Sequence, residues 1–309
     1  MKRSAAAVLA AALLSVPLVL PGYKTSLATE MLIFAALAMS IDILAGYAGR
    51  TSLGHGALFG VAAYVVLYHV TVAGGDPWVA ALLGIAAATV VATIFAVLAI
   101  RASGVYFLLI TLALGMIVWG ICQRWTSVTG GENGLRGAVR PAAVAGPAAF
   151  YYFVLAATAL MAFGMWRFVH SPFGLTLRGI RASESRMRSL GYDVSLHLFV
   201  GFVVSGFFAG AAGVLYAFFN SFASPATVAL AQSVEGLLMV IVGGVGTLVG
   251  GLVGSVAIIT LQNFVSYHTE RWSLVLGLVF IVTMIFAPEG LVGRARILLA
   301  RHAARVREP

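Results

Sequence analysis

The chain of 309 residues is 61% hydrophobic and only 9% charged, whereas a soluble domain carries about 25% charged residues. So little charge excludes a water-soluble globular protein, and a mean hydropathy of +1.02 places the chain in a bilayer. The net charge of +9 sits in short loops and in the tail, which excludes a basic nucleic-acid groove and fits the positive-inside pattern of membrane proteins.

A helix needs about 20 apolar residues to cross the hydrocarbon core. Taken in order, the apolar runs Ser4–Leu20, Met31–Leu44, Ala57–Val72, Trp78–Ile100, Val105–Cys122, Ala149–Trp166, Leu196–Phe219, Val234–Val242, Leu252–Val265 and Trp272–Phe286 predict an all-α polytopic membrane protein of about ten hydrophobic segments, several of them short. The first run follows Lys2 and Arg3 and resembles a signal peptide. No small-x-small cleavage site follows it, so it is read as the first span. The lone Cys122 lies in an apolar run and can make no intrachain disulfide.

Glycine interrupts two of the hydrophobic stretches. The first is LAGYAGRTSLGHG, Leu44–Gly56, and the second is VGGVGTLVGGLVG, Val242–Gly254. Broken helices at membrane depth are tolerated where they pack in protein or line a cavity, and in transporters they often mark the pathway. Glycine also permits simple close packing, as Gly206/Gly210 and Gly250/Gly254 would in small-xxx-small contacts. Asp42 and Glu235 each precede a break, and a charge at that depth needs a partner or a wet cavity. Arg50 is the expected partner of Asp42. Asp42, Tyr47, Ser52, His55, Thr111, Glu235, Gly243 and Gly244 are therefore the candidate lining of a substrate path.

The loop Gln123–Pro147 holds Thr129, Gly130, Gly131 and Asn133 in a turn-rich stretch, either a folded cap over a pathway or a plain connection. Farther on, Arg167–Leu198 is a polar, basic island between apolar spans. Ser171-Pro172 reads as a helix start and Gly191 as a stop, predicting one helix over Gly174–Leu190 with Arg178, Arg181, Arg186 and Arg188 exposed. Leu177, Ile180, Met187 and Leu190 supply apolar positions. A bare topological signal does not need apolar positions and defined helix ends, so the island is read as a docking element.

With Lys2 and Arg3 inside, ten crossings place this island, the basic tail from Glu289 to Pro309 and both termini in the cytoplasm. Of the 19 Lys and Arg residues, only Lys24, Arg124, Arg136, Arg140 and Arg271 then fall outside, as the positive-inside rule favours. The chain has no G-x-x-x-x-G-K-[ST] phosphate loop, no H-E-x-x-H, no nucleophile elbow and no metal-ligand spacing among its histidines. Nothing in it suggests catalysis, and any ATP would be used by another polypeptide.

Several stretches, weak singly, are specific together in order and spacing. They are Gly46-Tyr47-Ala48-Gly49 with Ser52-Leu53-Gly54-His55-Gly56, Thr129-Gly130-Gly131 with Asn133-Gly134-Leu135, and Ser171-Pro172-Phe173-Gly174 with Leu177-Arg178-Gly179-Ile180-Arg181. Ala212-Gly213-Val214-Leu215-Tyr216, Gly243-Gly244-Val245-Gly246-Thr247 and Pro288-Glu289-Gly290-Leu291 complete the set. On these the chain resembles the LivM-type permease subunit of ABC importers for branched-chain amino acids, from about Met31 to Gly293. The resemblance implies a single permease domain in a bacterial inner membrane, forming half of a translocation path for branched-chain amino acids or a related small polar solute. It implies as partners a LivH-type permease subunit, two cytoplasmic ATPases and an extracytoplasmic solute-binding protein. It also implies that residues 167–198 are the coupling region, with Leu177, Arg178, Arg181, Glu184, Leu190 and Gly191 facing the ATPase. The chain departs from the family pattern at Arg186 and Met187, where small residues are usual, and at Met116 and Trp119, where relatives commonly carry a glutamate and an arginine. The competing expectation is an ion-coupled secondary transporter that needs no ATPase.

Overall fold

The computed structural model describes residues 13–19, 22–268, 272–286 and 289–295. Most of the expected first span, with Lys2 and Arg3, and most of the basic tail lie outside the described residues. What is described is almost wholly helical. The long helices are α1 (Gly22–Asp42), α2 (His55–Thr71), α3 (Pro77–Ala99), α4 (Val105–Arg124) and α5 (Pro147–Val169). The short pair α6 (Pro172–Ala182) and α7 (Glu184–Ser189) follows, then α8 (Val194–Asn220), α9 (Leu230–Gly243), α10 (Val249–His268) and α11 (Trp272–Phe286). Among the described residues, 6 helices are long and apolar enough to cross a membrane, while α2 and α9 are apolar but shorter.

Local sequence sets the helix starts. Asp76 caps α3 by accepting the Trp78 and Val79 amides, and Asp193 caps α8 through the Leu196 amide. Proline occupies the first turn of α3, α5 and α6, where its missing N–H costs nothing.

Helix α1 is the axis of the bundle. It is buried almost all round, because α5, α8, α9 and α10 all pack against it. Helices α2, α3 and α8 form a second, tightly packed group. Small residues set the spacing there. A Cβ on Gly206 or Gly210 of α8 would collide with Ala92 or Ala88 of α3, and one on Gly213 would collide with the Phe59 carbonyl of α2. In α10, Gly254 lies against the Met239 carbonyl of α9. These are the close backbone approaches that small residues allow between membrane helices.

The structure corrects several expected boundaries. The first break begins later than Leu44, because α1 runs on as a π-helix over Ile43–Ala48 and only residues 49–54 are irregular. The nine-residue segment expected at Val234–Val242 is the 14-residue α9. The basic island forms two helices rather than one. Ser183 is extended, with φ −167° and ψ 109°, and its Oγ caps α7 by accepting the Arg186 amide. A serine that can satisfy a helix N-terminus competes with continuation of the preceding helix. The loop after α4 is folded onto the helix bundle: β1 (Leu135–Arg136) pairs antiparallel with β2 (Phe222–Ala223) just beyond α8.

Replacing Gly213 by valine is expected to overpack the α2–α8 contact and cost about 3 kcal/mol. Thermal unfolding in detergent checks this against Gly22→Ala, since a Cβ on Gly22 meets nothing within 4 Å.

Candidate functional site

The two glycine breaks meet. Asp42, at the end of α1, is fully buried and accepts the Gly246 amide at 2.6 Å and the Leu248 amide at 2.9 Å. The 244–248 backbone can present both amides because Gly244, Gly246 and Leu248 take positive φ of 123°, 81° and 52°. Alternating left-handed residues make a concave nest of N–H groups that binds anions, and here the anion is the chain's own carboxylate. A left-handed leucine costs about 1–3 kcal/mol. The hydrogen bond from its backbone N–H to Asp42 and the burial of its side chain hold it in place. Thr247 closes the turn, donating to the Gly244 carbonyl at 2.8 Å and accepting the Gly250 amide at 2.9 Å.

The basic island reaches the same place. The Arg181 guanidinium donates to the Gly46 carbonyl in the π-helix, and Arg178 lies 4.9 Å over the buried Tyr47 ring. Gly49, with φ 70°, presses against the Arg181 side chain. Arg50 does not pair with Asp42 as expected. It is buried, forms an ion pair with Glu184 of α7, donates to the Ala102 carbonyl at 3.1 Å and lies over Phe107. The π-helix turns Arg50 away from Asp42 and toward the island, while backbone amides already satisfy Asp42. Leu177 and Ile180 are buried; Arg178, Arg181, Arg186 and Arg188 are exposed as residues; Leu190, expected among the apolar positions, is 65% exposed. Gly191, with φ 85°, ends α7 as expected.

Beyond the first break the other candidates form a buried polar thread. Ser52 Oγ accepts the Gly54 amide, Thr111 Oγ1 accepts the Leu53 amide at 3.1 Å, and Ser233 Oγ accepts the Gly56 amide at 2.8 Å. His55 Nε2 lies 2.7 Å from Ser205 Oγ, which donates to the Ser40 carbonyl at 2.6 Å. Ser205 has a single hydroxyl proton and gives it to Ser40, so His55 must donate from Nε2. Its Nδ1 is then an acceptor, and among the described residues it has no partner. This relay ties α2, α8 and α1 together.

Some expected groupings do not form. Glu235 is not near Asp42; it lies within reach of the charge of Glu30 and beside Tyr216. Glu30 is twelve positions before Asp42 on α1, roughly 18 Å along a helix. Gly243 and Gly244 are buried against the backbones of Gly250 and Gly290, so they act in packing rather than lining an open path. Thr129, Gly130 and Gly131 build the turn that ends the short helix after α4. Thr129 Oγ1 donates to the Cys122 carbonyl at 2.6 Å, and Gly130 has φ 74°. Asn133 is exposed. Arg140 secures the cap, lying 4.0 Å over Phe150 and donating to the Phe218 and Phe219 carbonyls. Sequence reasoning missed Ser40, Ser205, Ser233, Glu30 and Leu248. The polar ones were visible as isolated polar letters in apolar runs; Leu248 carried no signal. No group of metal-ligating side chains occurs among the described residues.

The family described as the branched-chain amino acid transport system permease component matches residues 23–284. The high-affinity branched-chain amino acid transport system permease protein LivM of Salmonella typhimurium is 26% identical over 304 residues, spanning 88% of this chain and 71% of its own length. LivM of Escherichia coli is 27% identical over 301 residues, spanning 87% of this chain and 70% of its own length. No solved structure gives a significant match.

The relay predicts a graded series at one position. His55→Gln keeps a donor near the Nε2 position and should hold stability near wild type. His55→Leu and His55→Asn lose that donor and should each cost about 1–3 kcal/mol in thermal unfolding. Asparagine outperforming glutamine would contradict the tautomer.

Proposed function

The chain belongs to the permease component family of branched-chain amino acid transport systems, and from that premise we propose that it forms one half of the translocation path of an ABC importer. The solute is a branched-chain amino acid or a related small polar molecule. The second half is a LivH-type permease subunit, two cytoplasmic ATPases supply the energy, and an extracytoplasmic binding protein delivers the solute. ATP is used only by the partner subunits, consistent with the lack of a phosphate loop here. Residues 1–309 act as one permease domain in a bacterial inner membrane, with about ten segments, cytoplasmic termini, and the 167–198 island and basic tail on the cytoplasmic side.

The observation that carries this reading is the contact between the island and the first break. Arg181 bonds Gly46, Arg178 covers Tyr47, and Glu184 pairs with Arg50. The exposed Leu190, with Arg186 and Arg188, faces an ATPase groove. A push on α6 and α7 is passed to the irregular backbone at residues 46–50, and through Asp42 to the second break at Gly246 and Leu248. Both broken helices then shift together. Of the expected path residues, Tyr47, Ser52, His55 and Thr111 govern this movement, while Glu235, with Glu30, lines the path nearer its other end.

An ion-coupled carrier acting alone is the competing reading, and the Glu30/Glu235 proximity is what favours it. Proteoliposomes separate the two. ATP-dependent leucine uptake that needs the ATPases and binding protein is expected, and gradient-driven uptake by this chain without ATPase would overturn the proposal. Within the assembled complex, Glu184→Gln strands the buried Arg50 and should lower uptake about tenfold, equivalent to about 1.4 kcal/mol. The reversed pair Arg50→Glu with Glu184→Arg should recover part of that loss.

A further inference from the structure

A cavity of about 590 Å³ lies between α2, α3 and the far end of α4. That end is remote from the coupling region, because α4 begins beside Ala102 and Phe107, where Arg50 sits, and its 20 residues run for roughly 30 Å. Helix α2 contributes Val61, Tyr64, Val65 and Tyr68 to the walls, and α3 contributes Leu83, Ala86, Ala87 and Val90. Each set has the spacing i, i+3, i+4, i+7, which is one continuous helix face. The cavity is therefore a slot running along both helices for about 10 Å. The two alanines leave the space that larger side chains on α3 would fill. Nearer its start, α4 rests on the first break, where a Cβ on Gly115 would touch the Leu53 carbonyl. Farther along, only Ile121 and Cys122 of α4 reach the slot, with Trp125 just beyond the helix.

The mouth of the slot carries large apolar side chains that stay open to the bilayer: Leu83 is 44% exposed, Val90 60% and Ile121 48%. Its back wall is buried and holds Tyr64 and Cys122. The Tyr64 hydroxyl has no hydrogen-bond partner among the described residues, although a buried hydroxyl left unpaired costs about 1–3 kcal/mol. The side chains of Tyr68, His69 and Trp125, also around the slot, make no hydrogen bond among the described residues either. Tyrosine and tryptophan gather where hydrocarbon meets headgroups, and the indole N–H can only donate. The occupant that suits these walls is apolar along its length, carries acceptors at one end and enters from the bilayer. A helix from another protein fits less well, since its carbonyls are already bonded within it. An ester-linked acyl chain has a free carbonyl at its upper end.

We infer that the slot binds one acyl chain of a diacyl phospholipid from the leaflet opposite the coupling region. The ester carbonyl of that chain accepts from the Tyr64 hydroxyl, and the glycerol and phosphate oxygens meet Tyr68 and Trp125. An ordered chain there sets the spacing of the far half of α4 from α2 and α3. The site goes beyond the importer reading and does not depend on the transported solute, because it requires only that these three helices lie in a bilayer.

The test uses the full complex in nanodiscs that contain a phosphatidylethanolamine with a diazirine on one acyl chain. Light attaches that chain to whatever lies beside it, and peptide mass spectrometry maps the labelled residues. Cys122, only 5% exposed, should be labelled as readily as Leu82, which is 71% exposed on α3 and reports ordinary bilayer contact. Unlabelled diester phosphatidylethanolamine should suppress the Cys122 label about fivefold more effectively than its diether analogue, which lacks the carbonyls, as one hydrogen bond would. Tyr64→Phe should abolish that difference. Ala87→Leu should fill the slot and remove the Cys122 label while leaving the Leu82 label; if that variant fails to fold, the Tyr64→Phe comparison still decides. The inference is overturned if Leu82 is labelled and Cys122 is not, or if diester and diether compete equally in wild type. It is also overturned if a short bismaleimide joins Cys122 to the partner permease in place of the lipid label, because the slot would then be a protein interface.

Discussion

The fold depends on how a buried carboxylate is satisfied. Asp42 lies at membrane depth, where an isolated charge costs several kcal/mol. It is held chiefly by backbone, accepting amides from a stretch that takes three positive φ values in five residues, with the Arg181 charge within reach. Each side needs the other. Without the carboxylate, the Gly246 and Leu248 amides would lose their partner in a low-dielectric interior, at about 1–3 kcal/mol for each group. Without the strained turn, the carboxylate would have no donors. The break in α9–α10 is thereby fixed to the break after α1, although more than two hundred residues separate them.

This arrangement explains how an outlying basic helix pair can matter to the membrane interior. The π-helix over Ile43–Ala48 leaves the Gly46 carbonyl available to Arg181, and such insertions are common at functional sites. Gly46 also lies against the Gly246 backbone. The basic helix α6, the first break and the second break are therefore in direct contact, through the Arg181 side chain and the Gly46–Gly246 backbone approach. The His55–Ser205–Ser40 relay anchors the start of α2 to α8 and α1, which bounds the first break at residue 54.

Much of this was legible in the sequence. Long apolar runs gave the helices, because a bilayer leaves no other way to satisfy a backbone. Glycine clusters marked both breaks, and Ser171-Pro172 and Gly191 bounded the island. Pairings between distant segments were not legible. Arg50 stands eight positions from Asp42 and invited an ion pair, but the π-helix changes the direction in which residue 50 points. Ser183 looked like one more helical residue until its side chain was seen capping the Arg186 amide. Glu235 and Asp42 both precede glycine breaks, yet they lie at different depths because α9 packs along α1 from its other end. Nothing in a leucine's identity announces the left-handed conformation of Leu248, which the tertiary contact imposes.

Amide hydrogen exchange across residues 244–250, compared between wild type and Asp42→Ala in the assembled complex, bears most directly on the role of this carboxylate. The Gly246 and Leu248 amides should be strongly protected in wild type and should exchange about a hundredfold faster in the variant, while α8 is unchanged. Equal protection in the two proteins would contradict the claim that Asp42 holds the breaks together.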